Sequence, residues 1–233
     1  MYDLKMREKI KVSNHLVRNL ERISPDNSIF NYKSGRNAFL SLGQGNIREW
    51  LEIFLPNTRI ILEPKIIGSI IGIQYINGEL NKVINKNSQD ITESVRSLKT
   101  IPKSLAIKNR LEIQGVLYDN KNLSTRKNET EFIDIQNFIS KSKRLKFCAF
   151  QICQCNINHF QSLQELKHLN FEIPQTQFTN FISDIEIYLQ CWREGKLFTS
   201  YPTNGLVLKI NSRKLQKYLG ENNLSIPWAY AIN

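Results

Sequence analysis

The stretch "EPKIIGSIIGIQYINGEL", residues 63–80, combines a run of isoleucines with the turn pair Asn77-Gly78. Isoleucine favours extended backbone because its branched side chain packs well on a pleated surface, and Asn-Gly is the pair that two-residue hairpin turns prefer. Together with "RIILE" (59–63) before it, the stretch predicts a β-rich region: an apolar strand headed by Lys65 that includes "SIIGIQYI" (69–76), a tight turn, and a returning strand in "ELNKVIN" (79–85). An ammonium group at the head of a buried strand indicates either a nucleophile aimed into a pocket or the remnant of one.

The rest of the chain mixes strand and helix patterns. Apolar residues recur at helical spacing in "SNHLVRNLERI" (13–23) and in "NIREWLEIF" (46–54). No regular strand–helix–strand alternation is present, so the pattern predicts the α+β class, with antiparallel sheets flanked by helices. Further strands are predicted in "RLEIQGVLY" (110–118), "RLKFCAFQIC" (144–153) and "NGLVLKI" (204–210), and further helices in "DITESVRSL" (90–98), "ISDIEIYLQCWREG" (182–195) and "SRKLQKYLG" (212–220).

The composition limits the class of protein. The chain has 233 residues, 41% of them hydrophobic, which suits one large domain or one domain with a small appendage. Its formal net charge of +11 favours polyanionic partners, such as nucleic acid or nucleotide phosphates, although a solvated basic surface would give the same charge. No apolar run approaches the roughly 18 residues of a membrane span, and the charged start "MYDLKMREKIKV" (1–12) is unlike a signal peptide. We therefore expect a cytoplasmic protein without a membrane partner.

The cysteines and histidines do not form a metal-binding pattern. Cys148, Cys153 and Cys155 lie close together in "FCAFQICQC", but a C-x-C without a matching second pair is poor zinc spacing. Buried thiols on a strand are the preferred interpretation. The histidines are scattered and receive no predicted role: His15, His159 and His168.

Six segments, in order, resemble the adenylation (nucleotidyltransferase) domain of NAD-dependent DNA ligases. Residues 63–80 are similar to the family's E-x-K-x-D-G motif with the apolar strand and "NG" turn that follow it. The resemblance covers residues 37–233 and implies the nucleotidyltransferase fold there, preceded by an N-terminal helical stub over residues 1–36. The other matching segments are "NAFLSLGQGNIREWLEIF" (37–54), "DITESVRSLKTIP" (90–102), "LEIQGVLY" (111–118), "NGLVLKI" (204–210) and "IPWAYAIN" (226–233).

The resemblance assigns chemistry to individual residues. Lys65 matches the catalytic lysine that attacks the α-phosphate of NAD, becomes AMP-lysine and expels nicotinamide mononucleotide; Glu63 matches the glutamate that reads the adenine. A lysine reacts as a free amine only when it is partly desolvated or lies among other cations, and the apolar strand and the matching cations supply both conditions. The cations that match the family's phosphate-binding residues are Lys86, Arg126, Lys196 and Lys209, with Arg193 a competitor for the position of Lys196.

The family pattern is degenerate at four positions. Ile67 replaces the motif aspartate, Val116 the glutamate of the "R-G-E" strand, and Asn204 the acidic residue of the "D-G-V-V-I-K" strand, while Asn233 replaces the last phosphate-binding lysine. Because Mg²⁺ prefers anionic oxygen ligands, the loss of three carboxylates disfavours Mg²⁺ and predicts no metal site. Most of the cations remain, so we expect anion binding to outlast catalysis.

Two functions remain open. The first is a stand-alone DNA ligase-related adenylation domain that binds NAD or its AMP moiety, keeps weakened self-adenylation at Lys65, and acts in DNA replication or repair. The second is a pseudoenzyme, a catalytically dead module that uses the remnant basic pocket to hold DNA or a protein partner. The segment 1–36 lacks the family's first helix, which helps to capture the nicotinamide mononucleotide half, so the choice among NAD, ATP and no nucleotide also remains open.

Overall fold

The computed structural model describes residues 41–43, 47–54, 58–120, 139, 144–153, 155–220 and 225–233. The stub predicted over residues 1–36, with its helix over 13–23, and Arg126 lie outside these ranges. The helices are α1 (Ile47–Phe54), α2 (Thr92–Val95), α3 (His159–His168), α4 (Ile182–Arg193) and α5 (Arg213–Leu219). The strands are β1 (Ser41–Gly43), β2 (Ile60–Ile66), β3 (Ser69–Ile76), β4 (Glu79–Asn85), β5 (Leu111–Asp119), β6 (Leu145–Ile152), β7 (Gln177–Thr179), β8 (Thr203–Ile210) and β9 (Ser225–Ile232).

The described strands form two sheets. The five-stranded sheet has the order β1-β9-β8-β2-β7, and the four-stranded sheet has the order β4-β3-β5-β6. Neighbouring strands are antiparallel in both sheets except β1 and β9, which run parallel. The α+β class with antiparallel sheets, predicted from the sequence, is confirmed.

The β segments predicted in "RIILE" (59–63) and "SIIGIQYI" (69–76) are present as β2 and β3. β2 ends at Ile66 in the five-stranded sheet, and β3 begins at Ser69 in the four-stranded sheet. The expectation that Lys65 heads the apolar strand is wrong, since Lys65 lies near the end of β2 and the isoleucines of β3 belong to the other sheet. The hairpin that follows is confirmed, since β3 and β4 pair as antiparallel neighbours across residues 77–78.

Close packing explains where the chain crosses between the sheets. A Cβ at Gly68 would overlap the carbonyl oxygen of Leu117 in β5 and would lie 2.8 Å from Cγ2 of Val116. The preceding amide, that of Ile67, donates to the carbonyl oxygen of Pro202 at 2.7 Å. The crossing therefore needs glycine for its close contact with β5. β3 then begins beside β5, with Ile70 opposite Val116.

Local sequence signals predicted most of the helices correctly. The helices predicted over 46–54, 182–195 and 212–220 are present as α1, α4 and α5, whereas the one predicted over 90–98 shortens to α2. Helix α3 was missed, although the Asn158 and Gln161 side chains form a capping box at its start, which is a local signal. No helix in the described part of the chain is long and apolar enough to cross a membrane.

Two cores hold the sheets and helices together. One packs α3 against the four-stranded sheet. The other lies between the two sheets and joins Leu62 and Trp228 of the five-stranded sheet to Val116 and Cys148 of the four-stranded one. Cys148, Cys153 and Cys155 are buried free thiols, which confirms the structural interpretation of the cysteines. The inter-sheet core lies beside the position of Lys65.

Candidate functional site

Glu63 is a buried carboxylate with a partner on each oxygen. It is 3% exposed, its Oε2 lies 2.8 Å from Nζ of Lys209, and its Oε1 lies 2.5 Å from Nε2 of His159. Burial alone would raise the pKa of Glu63, but the Lys209 ammonium and then His159 outweigh it and hold the pKa at about 2. Glu63 is therefore ionised at near-neutral pH, although its carboxylate is buried away from water.

Strand pairing brings Glu63 and Lys209 together. In the antiparallel pair of β2 and β8, Lys209 lies opposite Ile61, and Glu63 lies opposite Val207. Side chains two residues apart on a strand share a face, so Glu63 and Lys209 are diagonal neighbours on one face of the sheet. The glutamate of the E-x-K motif and the lysine of "NGLVLKI" thus meet through the register of two strands.

His159 reaches Glu63 from the first turn of α3. Asn211, directly after β8, fixes this turn because its carbonyl oxygen accepts from the His159 amide at 3.0 Å and its side chain accepts from the Phe160 amide at 3.0 Å. Burial, followed by the Lys209 charge, lowers the pKa of His159. The neutral imidazole therefore donates from Nε2 to Glu63, and its Nδ1 has no hydrogen-bond partner among the described residues.

The charge of Lys209 is directed inward. Its ammonium group lies over the ring of Phe150 at 4.8 Å from the centroid and donates to the Phe150 carbonyl oxygen at 3.4 Å, in addition to its contact with Glu63. Lys209 itself is 4% exposed. Lys209 and Glu63 thus form one buried unit without net charge, and much of the attraction for anions that the sequence assigned to Lys209 is balanced internally.

Lys65 lies two residues beyond Glu63, at the edge of this buried unit. Its side chain is half-buried, and Nζ donates to Oδ1 of Asn233 at 2.7 Å. Burial lowers the pKa of Lys65, which increases the fraction of free amine at a given pH. The structure therefore brings the predicted nucleophile and one degenerate motif position into direct contact.

The three positions that lost a carboxylate offer few ligands for a cation. Val116 is 4% exposed within the inter-sheet core, Ile67 lies at the crossing from β2 to β3, and Asn204 in β8 contributes a neutral amide. Mg²⁺ binds oxygen ligands in octahedral geometry and usually through one or two carboxylates. These side chains do not fit Mg²⁺, since both Glu63 oxygens already have protein partners. Within the described ranges, no three or more His, Cys, Asp or Glu side chains cluster in a way that could hold a metal ion.

The other predicted phosphate-binding cations occupy exposed positions or fall outside the described ranges. Lys86 is exposed directly after β4, and Arg126 is among the residues not described. Lys196 is exposed and pairs with Glu194 at 2.6 Å, and hydrogen bonding to that carboxylate raises its pKa. Its competitor Arg193 is the exposed last residue of α4. Their roles in holding phosphate stay predictions.

His159 is the residue of this site that the sequence analysis missed. It lies 96 positions from Glu63 in the chain, and a single histidine carries no spacing that predicts such a contact. The one usable local signal was the capping box of α3, which would have placed His159 at the start of a helix. The contact itself depends on how Asn211, directly after β8, binds the first turn of α3.

We expect acid to destabilise the fold through Glu63 and His159. The pKa of Glu63 is about 2 in the folded chain against an ordinary value of 4.5, so its contribution to stability is complete above pH 4.5 and is lost as the pH falls toward 2. His159, whose pKa is also depressed, acts in the same direction below its ordinary value of 6.5. Urea unfolding at a series of pH values should show this loss, and Glu63→Gln should flatten the part below pH 4.5. An unchanged acid slope in that variant would contradict the assignment.

Comparison with known proteins agrees with the resemblance seen in the sequence. No protein-family model matches the chain. A curated DNA ligase of Prochlorococcus marinus (strain NATL2A) is 28% identical over 211 residues, covering 74% of this chain and 31% of the ligase. One from Mycoplasma capricolum subsp. capricolum is 27% identical over an alignment of 272 positions, covering 99% of this chain and 41% of the ligase. A solved structure of Lig E DNA ligases has a TM-score of 0.49 with this chain at 12% identity, covering 83% of this chain and 68% of that one.

Both sequence matches are to one class of protein, the DNA ligases. The chain spans less than half of the length of the curated relatives, which is 31% and 41% in the two examples. The matched portion includes the Lys65 motif and the strands that surround it. The recognition made from the sequence is confirmed to this extent: the chain is similar to DNA ligases over most of its length, which supports a ligase adenylation-type domain.

Proposed function

We propose that this domain binds NAD or its AMP moiety at the Lys65 end of β2 and accepts AMP on Lys65 at a reduced rate. The observation that carries the proposal is the state of the Lys65 amine, which is half-buried, has a lowered pKa and is held by Asn233 at 2.7 Å. Because burial lowers its pKa, Lys65 is closer to a free amine than a solvated surface lysine is, and the Asn233 contact holds it in place. On this proposal the protein acts in DNA replication or repair in the cytoplasm.

The proposed transfer uses one bond exchange at phosphorus. Nζ of Lys65 attacks the α-phosphorus of NAD, the phosphorus–nitrogen bond forms, and the phosphorus–oxygen bond to nicotinamide mononucleotide breaks. The amine proton passes to solvent, and nicotinamide mononucleotide leaves with the bonding electron pair. No step is assigned to Mg²⁺, whose ligands do not fit here, so we expect transfer far slower than in an enzyme with intact carboxylates.

Adenine recognition by Glu63 is compatible with its two protein contacts. An ionised carboxylate has about four acceptor positions, so Glu63 keeps capacity for an adenine amino group after binding Lys209 and His159. The two contacts also fix the direction in which the remaining lone pairs point. Glu63 would therefore act as a rigid acceptor for the adenine amino group.

Incubation with NAD or ATP labelled with ³²P at the α-phosphate, with and without Mg²⁺, tests the proposal. We expect covalent label in the wild-type chain and none in Lys65→Ala. Lys65→Arg is the matched control because it keeps the positive charge and removes the reactive amine; it should bind nucleotide without becoming labelled. Absence of label from both nucleotides in the wild type would overturn the proposal.

The buried Glu63–Lys209 pair favours a second candidate function. It has no net charge, and Val116 fills the inter-sheet core, as expected in a module whose chemistry is lost and whose packing is retained. Such a module would use its net charge of +11 to hold DNA. Three results together would favour this candidate over the first. DNA binding should weaken with salt, it should survive Lys65→Ala, and the wild-type chain should never become labelled.

A further inference from the structure

Three strands bring their ends together at Lys65. β2 pairs with β8, with Pro64 opposite Leu206, and β8 pairs with β9, with Leu206 opposite Ile232. The next residue outward on each strand is Lys65, Gly205 and Asn233, respectively. The predicted nucleophile, a glycine and an asparagine thus lie at neighbouring strand ends, at the point where the register of β2 and β8 shifts between Pro64 and Ile66.

Gly205 provides the space in which the asparagine side chain lies. Its φ is +150°, and a Cβ there would overlap the carbonyl oxygen of Ile232 and would lie 2.9 Å from Oδ1 of Asn233. Any larger residue at Gly205 would displace the oxygen that accepts from Lys65. The contact between Lys65 and Asn233 thus depends on Gly205, where a side chain does not fit.

The hydrogen bond has a defined chemical consequence. An amide oxygen accepts hydrogen bonds and carries no net charge, so Asn233 orients the Lys65 nitrogen without adding a second cation beside it. When Lys65 is a free amine, one of its two hydrogens points at Oδ1, and the lone pair must then point away from Asn233. This contact at 2.7 Å therefore restricts the nucleophilic lone pair to the two tetrahedral positions on Nζ that do not face Asn233.

We propose that Asn233 is a positioning residue for Lys65, holding the amine through its amide oxygen in space kept open by Gly205. The effect of this positioning on adenylation rests on the proposed function. The hydrogen bond between Lys65 and Asn233 does not depend on that function. At the position where the resemblance places a phosphate-binding lysine, this chain has a residue that orients the nucleophile instead. Phosphate binding at position 233 is replaced by direct control of Lys65.

Reactivity of Lys65 toward acetic anhydride, followed by mass spectrometry as a function of pH, tests the contact without any nucleotide. Asn233→Asp places a carboxylate beside the ammonium and should raise the pKa of Lys65, while Asn233→Lys should lower it. At about pH 8 we expect acetylation of Lys65 to be at least about threefold slower in the first variant and about threefold faster in the second, since one pKa unit is a tenfold change in free amine. A purely structural role would not shift the profile in opposite directions.

Matched charge changes elsewhere control for long-range electrostatics. Ser97 is exposed after α2, and Ser97→Asp and Ser97→Lys should leave the Lys65 profile unchanged. If both Asn233 variants keep the wild-type profile, or shift it no more than the Ser97 variants, the inference is overturned. A wild-type chain that accepts no label from nucleotide, together with opposite shifts in the Asn233 variants, would sink the proposed function and leave this inference intact.

Discussion

Replacing Lys209 with methionine is expected to lower the free energy of unfolding by about 3–5 kcal/mol, because it leaves a buried carboxylate without its counter-ion. Methionine fills a similar volume, so the loss reports on charge more than on packing. Glu63 would keep only the neutral His159 as a partner on Oε1, and its carboxyl would take up a proton more readily. This is the largest stability effect that the described contacts predict.

Urea unfolding at neutral pH measures this effect through the midpoint at constant slope. Lys196→Met is the matched control, since Lys196 also pairs with a glutamate but is exposed, and solvent screening leaves exposed pairs little effect on stability. The double variant Glu63→Gln with Lys209→Met should recover part of the loss because no unpaired charge remains. A Lys209→Met loss no larger than that of Lys196→Met would contradict the buried ion pair.

The second large effect is expected for Val116→Glu, which restores the acidic residue that the ligase pattern has at this position. Val116 is 4% exposed and packs with Cys148 and Tyr118 between the two sheets. A carboxylate there would be buried among apolar side chains, and a buried charge without a bonded partner costs several kcal/mol. We therefore expect a loss of about 3 kcal/mol or more near neutral pH.

The control for shape is Val116→Gln, which has the same size without the charge. Comparing the two variants by urea unfolding at about pH 7 and about pH 4.5 separates steric from electrostatic cost, because protonation of the new carboxyl in acid should relieve only the charged variant. If Val116→Glu is as stable as the wild type at neutral pH, the position is open to solvent or to a cation. The restored set Ile67→Asp, Val116→Glu and Asn204→Asp would then be the appropriate background in which to look for Mg²⁺-dependent label.

Both predictions follow from the same feature of the site. The sequence suggested a pocket in which several cations faced one glutamate, and the structure shows Lys209 and Glu63 neutralising each other inside the protein. At the three positions where the resemblance expects a carboxylate, the chain has residues that pack or carry a neutral amide: Ile67, Val116 and Asn204. What stays available near the surface is Lys65 with its amide partner Asn233.

Local patterns were sufficient for much of the secondary structure. The hairpin over residues 69–85 follows from β-branched residues around Asn77-Gly78, and α1 and α4 follow from apolar residues three and four positions apart. These signals act between neighbours in the chain, so they can be read without knowledge of the fold. The Lys65 motif is also local, and its order among five other segments was enough to recognise the ligase adenylation type.

Contacts between distant residues were beyond that kind of inference. The sequence by itself carried the resemblance to the ligase adenylation domain, the position of the candidate nucleophile and the uncharged residues at Ile67, Val116 and Asn204. Tertiary structure determined that Lys65 lies near the end of a strand in one sheet, while the isoleucines of β3 belong to the other sheet. It also determined that His159 contacts Glu63, 96 positions away in the chain, and that Asn233 contacts Lys65, 168 positions away. The physical reason is that each of these contacts is set by strand register and helix packing, which arise only when separate segments bury their apolar faces together.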